Sequence, residues 1–140
     1  MTARPISAKP RVLVVEDEPS VRRITRYILE HGGYDVVEAT DGAEAIDLLN
    51  ALNADIELVL ADVHMPRVDG VTLMSHVTAE WPDLPVLLMS ARADDARYAL
   101  QLLELDVQVV EKPFRLASLL ELVGSALVAG RGDSERSAAA

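Results

Sequence analysis

Apolar runs of strand length alternate with helix-spaced segments along this chain. The runs are Val12 to Val15, Val36 to Val37, Leu58 to Ala61, Val86 to Met89 and Val107 to Val110, each bounded by charges, Gly or Pro. Between them the apolar residues fall at helical spacing: Val21, Ile24 and Ile28, then Ala45, Ile46, Leu49 and Leu52. After the last run come Leu116, Leu119, Leu120, Val123 and Leu127. Strands that are apolar on both faces and separated by helices point to a parallel sheet covered on each side, a doubly wound α/β architecture. Local punctuation agrees with this reading. Pro19 and Ser20 can start the first helix, Gly32 and Gly33 can end it, and Asp41 can cap the second.

With 140 residues, half of them hydrophobic, the chain supports one core rather than two. It contains no cysteine, which excludes disulfides, thiolate metal sites and a thiol nucleophile. A net charge of −10 opposes direct binding to nucleic acid, whose phosphates need clustered Lys and Arg. No stretch approaches the roughly 18 consecutive apolar residues of a membrane span, and Met1 to Lys9 lacks the hydrophobic region of a secretory signal. A soluble, cytoplasmic protein without membrane insertion is therefore expected. The ordered unit is expected over residues 11–128, after a flexible segment 1–10 and before a disordered tail 129–140 that has no apolar face to bury. Arg131-Gly132-Asp133 in that tail is read as coincidence rather than as an adhesion signal.

In a parallel doubly wound sheet, ligands bind at the carboxyl ends of the strands. Here the first strand runs into Glu16, Asp17 and Glu18, the third into Asp62, the fourth into Ser90 and the fifth into Lys112 and Pro113. Carboxylates gathered from two strands repel one another unless a cation sits among them. An oxygen-only donor set suits Mg²⁺, with Mn²⁺ as an alternative, far better than zinc. Asp17 and Asp62 are the expected direct ligands, with Glu16 acting through water. Lys112 brings a compact positive charge and Ser90 a hydroxyl, groups that can neutralise the oxygens of a phosphoryl group while Asp62 acts as nucleophile.

Four landmarks in order carry a resemblance: Val14-Val15-Glu16-Asp17-Glu18; Asp62-Val63-His64-Met65-Pro66 with Asp69-Gly70; Ser90-Ala91; and Lys112-Pro113-Phe114. Together they resemble the response-regulator receiver family over roughly Arg11 to Val128. The resemblance implies a flavodoxin-like fold with five parallel strands in the order 2-1-3-4-5. It further implies Asp62 as phosphoacceptor, Asp17 as metal ligand beside Glu16, a metal-binding backbone carbonyl at His64, Ser90 as switch hydroxyl, Lys112 as phosphate-binding lysine and a cis peptide before Pro113. The partners implied are a histidine kinase or histidine phosphotransfer protein and a downstream protein whose identity stays open. A homodimer is also left open, as is the choice between a stand-alone regulator and the receiver portion of a hybrid kinase. Such a domain is a signalling switch in a phosphorelay rather than an enzyme acting on free substrates.

The chain departs from the family pattern in two places. Val109 stands where receivers usually carry an aromatic residue whose inward swing is coupled to the switch hydroxyl, so that ring movement cannot operate here. Leu105 and Asp106 replace a small Gly-Ala pair. His64 and Arg92, two residues beyond the acceptor and the hydroxyl, can reach over a phosphoryl group and guide or obstruct water. Two alternatives compete. A Mg²⁺-dependent aspartyl-phosphate phosphohydrolase would need a second Asp two residues after the nucleophile, where this chain has His64. A pseudo-receiver working without phosphorylation is disfavoured by the intact acceptor, acidic pair, hydroxyl and lysine.

Overall fold

The computed structural model describes residues 9–139, apart from positions 53, 54, 66, 103, 105 and 106, with side chains described as far as residue 129. Its elements alternate: β1 (Arg11–Val15), α1 (Pro19–His31), β2 (Asp35–Ala39), α2 (Gly42–Leu52), β3 (Leu58–Asp62), α3 (Gly70–Glu80), β4 (Val86–Ser90), α4 (Ala93–Leu102), β5 (Gln108–Glu111) and α5 (Leu116–Ala139). The five strands form one parallel sheet in the order β2-β1-β3-β4-β5, the flavodoxin-like topology implied by the resemblance.

Successive residues of a strand face opposite sides of a sheet, and the core divides accordingly. On one face Leu13, Val15, Val59, Ala61, Leu88 and Val109 pack with Leu49 of α2, Leu73 and Val77 of α3 and Leu100 of α4. On the other, Val12, Val14, Leu58, Leu60, Leu87, Met89 and Val110 pack with Ile28 and Leu29 of α1 and Leu119 and Val123 of α5. Full burial of each large aliphatic side chain is worth about 1.5–3 kcal/mol. The three central strands, buried on both faces, are thus the part of the molecule that moves least readily, and their ends form a fixed platform.

The helix ends follow the local chemistry. Pro19 opens α1, Gly32 caps its end, and Gly33 takes the left-handed backbone with φ +95°. The Asp41 carboxylate accepts the Glu44 N–H at 2.8 Å at the start of α2, and Asp69 accepts the Thr72 N–H at 2.8 Å at the start of α3. Two details go beyond the sequence pattern. Ile24 is 58% exposed because the inward stripe of α1 runs through Thr25, Ile28 and Leu29, leaving Ile24 on the rim. The backbone of α5 continues helically to Ala139, through the segment read as a tail. Leu127 is the last buried side chain among the described residues. Residues 1–8 of the expected N-terminal segment, Pro66 and positions 105 and 106 lie outside the described residues, as do the side chains of the Arg-Gly-Asp tripeptide.

Candidate functional site

The strand order reverses between β1 and β3, the switch point at which a crevice opens beyond the carboxyl ends of the strands. Val15 pairs with Ala61 in that register, so the next residues, Glu16 and Asp62, emerge side by side. Both are buried, at 1% and 6% exposure, while Asp17 is exposed at the mouth. Carboxylate oxygens of Glu16, Asp17 and Asp62 lie within 4.8 Å of one another.

From β5, Lys112 reaches into this cluster. Its Nζ donates to Glu16 Oε2 at 2.9 Å and to Asp62 Oδ2 at 3.1 Å. The Lys112–Pro113 peptide is cis, and the Lys112 N–H donates to the Ser90 carbonyl at 2.9 Å, joining the β4 and β5 ends. Burial pushes the Glu16 carboxyl up to about 7, aided by the nearby Asp62 charge and opposed by Lys112. Burial alone would lower the Lys112 ammonium. The hydrogen bonds to Glu16 and Asp62 together outweigh it, and the net direction is upward. One cation thus serves two buried carboxylates and leaves the cluster short of positive charge.

The loops around the cluster are held by backbone contacts. The His64 N–H donates to Asp62 Oδ1 at 3.1 Å, and the His64 side chain points to solvent. Ser90 is fully buried, and its Oγ accepts the Arg92 N–H at 2.9 Å. Gly70 abuts Asp62, since a Cβ there would run into the Asp62 carbonyl. Arg67, at φ 66°, forms a two-pronged pair with Asp41 at 2.8 and 2.9 Å, which ties the β3–α3 loop to the start of α2. The structure therefore brings Glu16, Asp17, Asp62 and Lys112 together, with Ser90 one strand away. Sequence reasoning passed over Arg22, whose Nη1 donates to the Glu16 carbonyl at 2.9 Å. Its signal was available: long side chains on a helix lean toward its N-terminus, and Arg22 lies in the first turns of α1.

This donor set fits a hard divalent cation. It offers only oxygens, from three acids, one of which faces solvent where the ion could keep its waters. The set suits zinc less well, since among the described residues no His or Cys joins the cluster.

The family model of the response regulator receiver domain matches residues 12–124, from the second residue of β1 into α5. The chain belongs to the response-regulator receiver family. This receiver is 34% identical over 121 residues to the sensor kinase CckA of Brucella abortus, covering 86% of this chain and 13% of that protein. It is 37% identical over 110 residues to the response regulator MprA of a Mycobacterium species, covering 79% of this chain and 47% of the relative. The receiver thus spans less than half the length of these curated relatives. Among solved structures it is similar to the receiver domain of the hybrid histidine kinase CckA, at 33% identity and a TM-score of 0.70 over 84% of this chain and 98% of that one. It is similar as well to the response regulator TrrA of Thermotoga maritima, a structure in complex with Mg²⁺-BeF, at 28% identity and a TM-score of 0.75 over 84% of this chain and 98% of that one. It is a receiver domain of the two-component type, and among its described residues no helix is long and apolar enough to cross a membrane.

Proposed function

We propose that this receiver accepts a phosphoryl group on Asp62 from a phosphohistidine of a kinase or phosphotransfer protein and changes its affinity for a downstream partner. The observation that carries the reading is the placement of Lys112 Nζ between Glu16 and Asp62 at the switch point, beside Asp17. An Asp62 carboxylate oxygen would form the new bond to phosphorus as the donor's nitrogen–phosphorus bond breaks. The neighbouring ammonium of Lys112 is free to exchange its carboxylate partner for a phosphoryl oxygen. Glu16, Asp17, Asp62 and the His64 carbonyl would hold Mg²⁺, which when bound supplies the charge that neutralises the transferring group. Ser90 would turn its hydroxyl from the Arg92 N–H toward a phosphoryl oxygen, drawing the β4–α4 loop after it.

The readout in this receiver differs from a ring swing. Val109 is buried on β5 and has no ring to move, so the altered state would be reported by the β4–α4 loop itself. The unit that carries these functions is taken as residues 11–128, in the cytoplasm, either alone or within a longer regulator or hybrid kinase. The deciding experiment is intact-mass analysis after treatment with a small phosphodonor and Mg²⁺, comparing the wild type with Asp62→Asn. A gain of one phosphate in the wild type alone is expected. No gain in the wild type, or an equal gain in both proteins, rejects the assignment.

A further inference from the structure

Asp17 is the exposed member of the acid cluster, and among the described residues no hydrogen bond holds its carboxylate. Glu16 and Asp62 are tethered by Lys112, whereas Asp17 is placed only by the backbone from which it grows. That backbone is gripped from outside the site. The Arg22 guanidinium donates from Nη1 to the Glu16 carbonyl at 2.9 Å, and its Nε lies 3.6 Å from Glu38 on β2. Glu38 in turn accepts from Arg26 Nη1 at 2.9 Å. Because a peptide unit is planar, fixing the Glu16 carbonyl fixes the nitrogen of Asp17 and the direction in which its Cα leaves.

We infer that Arg22 is a positioning residue for divalent-cation binding, holding the Glu16–Asp17 peptide so that the Asp17 carboxylate faces Glu16 and Asp62. This rests on the reading of the cluster as a Mg²⁺ site. A second observation supports a dedicated role. A cation in the first turns of a helix opposes the macrodipole, and Arg22 sits there with its side chain only 19% exposed. What offsets that placement is the Glu16 carbonyl on one side and Glu38 on the other. Because Arg22 engages a carbonyl rather than the acids, it orders the loop without taking up the oxygens that a metal needs.

The charge of Arg22 also acts directly, and in the opposite direction. Through space it would repel a divalent cation, so its removal would tighten binding if charge were all that mattered. Positioning predicts weaker binding, and the two effects differ in sign. The test uses Arg22→Met, which keeps the apolar stem but cannot donate, alongside Arg22→Lys. Free Mn²⁺ is followed by its electron paramagnetic resonance, and phosphorylation of the protein by acetyl phosphate is followed by intact mass across a Mg²⁺ titration. For Arg22→Met the Mg²⁺ midpoint should rise about tenfold, the size of one lost hydrogen bond to a charged group, with the rate at saturating Mg²⁺ within about twofold of wild type. Arg22→Lys should recover most of the shift. An unchanged midpoint in folded Arg22→Met, a tighter one, or a lysine variant no better than methionine overturns the inference. Should Arg22→Met fail to fold, Glu38→Gln leaves the guanidinium in place without its carboxylate. A rise of about two- to threefold is then expected, and no rise overturns the inference. A wild type that neither binds Mn²⁺ nor responds to Mg²⁺ removes the metal-site reading itself, whereas a responsive wild type with an identical variant removes only the role of Arg22.

Discussion

Replacing Lys112 with methionine should destabilise the metal-free protein by an amount that grows with pH. Lys112 makes two charge-assisted hydrogen bonds, at 2.9 Å to Glu16 and 3.1 Å to Asp62, with 17% of its side chain exposed. Deleting one partner of a buried ion pair costs about 3–5 kcal/mol when the remaining charge must stay buried. Proton uptake limits that cost. The Glu16 carboxyl already stands at about 7 against an ordinary 4.5, raised first by burial and held down by Lys112, so removing the ammonium raises it further. A raised folded-state value means that the folded protein holds more protons than the unfolded chain between roughly pH 4.5 and 7, so this group's contribution to stability declines as pH climbs through that window. Without Lys112 the window extends upward and the decline continues. Near pH 5.5 Glu16 is neutral in both proteins and the difference should be about 1–2 kcal/mol, whereas near pH 8.5 it should reach about 3–4 kcal/mol. Urea unfolding in chelator at both pH values, with the wild type as reference so that other titrations cancel, measures it. A destabilisation equal at the two values within about 0.5 kcal/mol would refute the coupling of Lys112 to the Glu16 proton.

Further outcomes follow from the geometry. Because a Glu16 carboxyl near 7 keeps its proton below that pH, Mg²⁺ should bind more weakly at pH 6 than at pH 8, with proton release measurable by calorimetry in buffers of different ionisation heat; pH-independent binding would argue that Glu16 stands outside the metal's influence. Gly70→Ala would drive a Cβ into the Asp62 carbonyl and to 2.7 Å from Val63 Cα, and since these are backbone atoms it should cost about 2 kcal/mol or more in thermal unfolding. Gly33→Ala, with open space but φ +95°, should cost only about 1 kcal/mol. Substituting His64 or Arg92, whose side chains are exposed beside the acceptor loop and the Ser90 loop, should change the lifetime of the phosphorylated state in a mass-detected decay, and unaltered lifetimes in both variants would reject their guidance of water.

The layered architecture was legible because it rests on local information. A strand buried on both faces must be apolar at every position, and a helix covering it must repeat its apolar residues at helical spacing. Val12 to Val15 and Leu119, Val123 and Leu127 state both requirements openly. The polar residues ending each strand were legible for the same reason, since Glu16, Asp62, Ser90 and Lys112 each break an apolar run. Their expected roles followed from the chemistry of carboxylates, a hydroxyl and an ammonium at neighbouring strand ends, and the resemblance added the switch hydroxyl and the cis peptide.

What the sequence by itself determined was a set of strands, their covering helices and the chemistry at each strand's end. Only the tertiary structure decided that Lys112 meets a carboxylate 96 residues earlier, that Glu16 is sealed from water while its neighbour Asp17 is not, that Ile24 falls on a rim, and that Arg22 grips the loop backbone. Those outcomes depend on strand order, register and the rotation of each helix against the sheet. Burial and charge pairing are properties of what lies opposite a residue, and what lies opposite is fixed by contacts between segments distant in the chain.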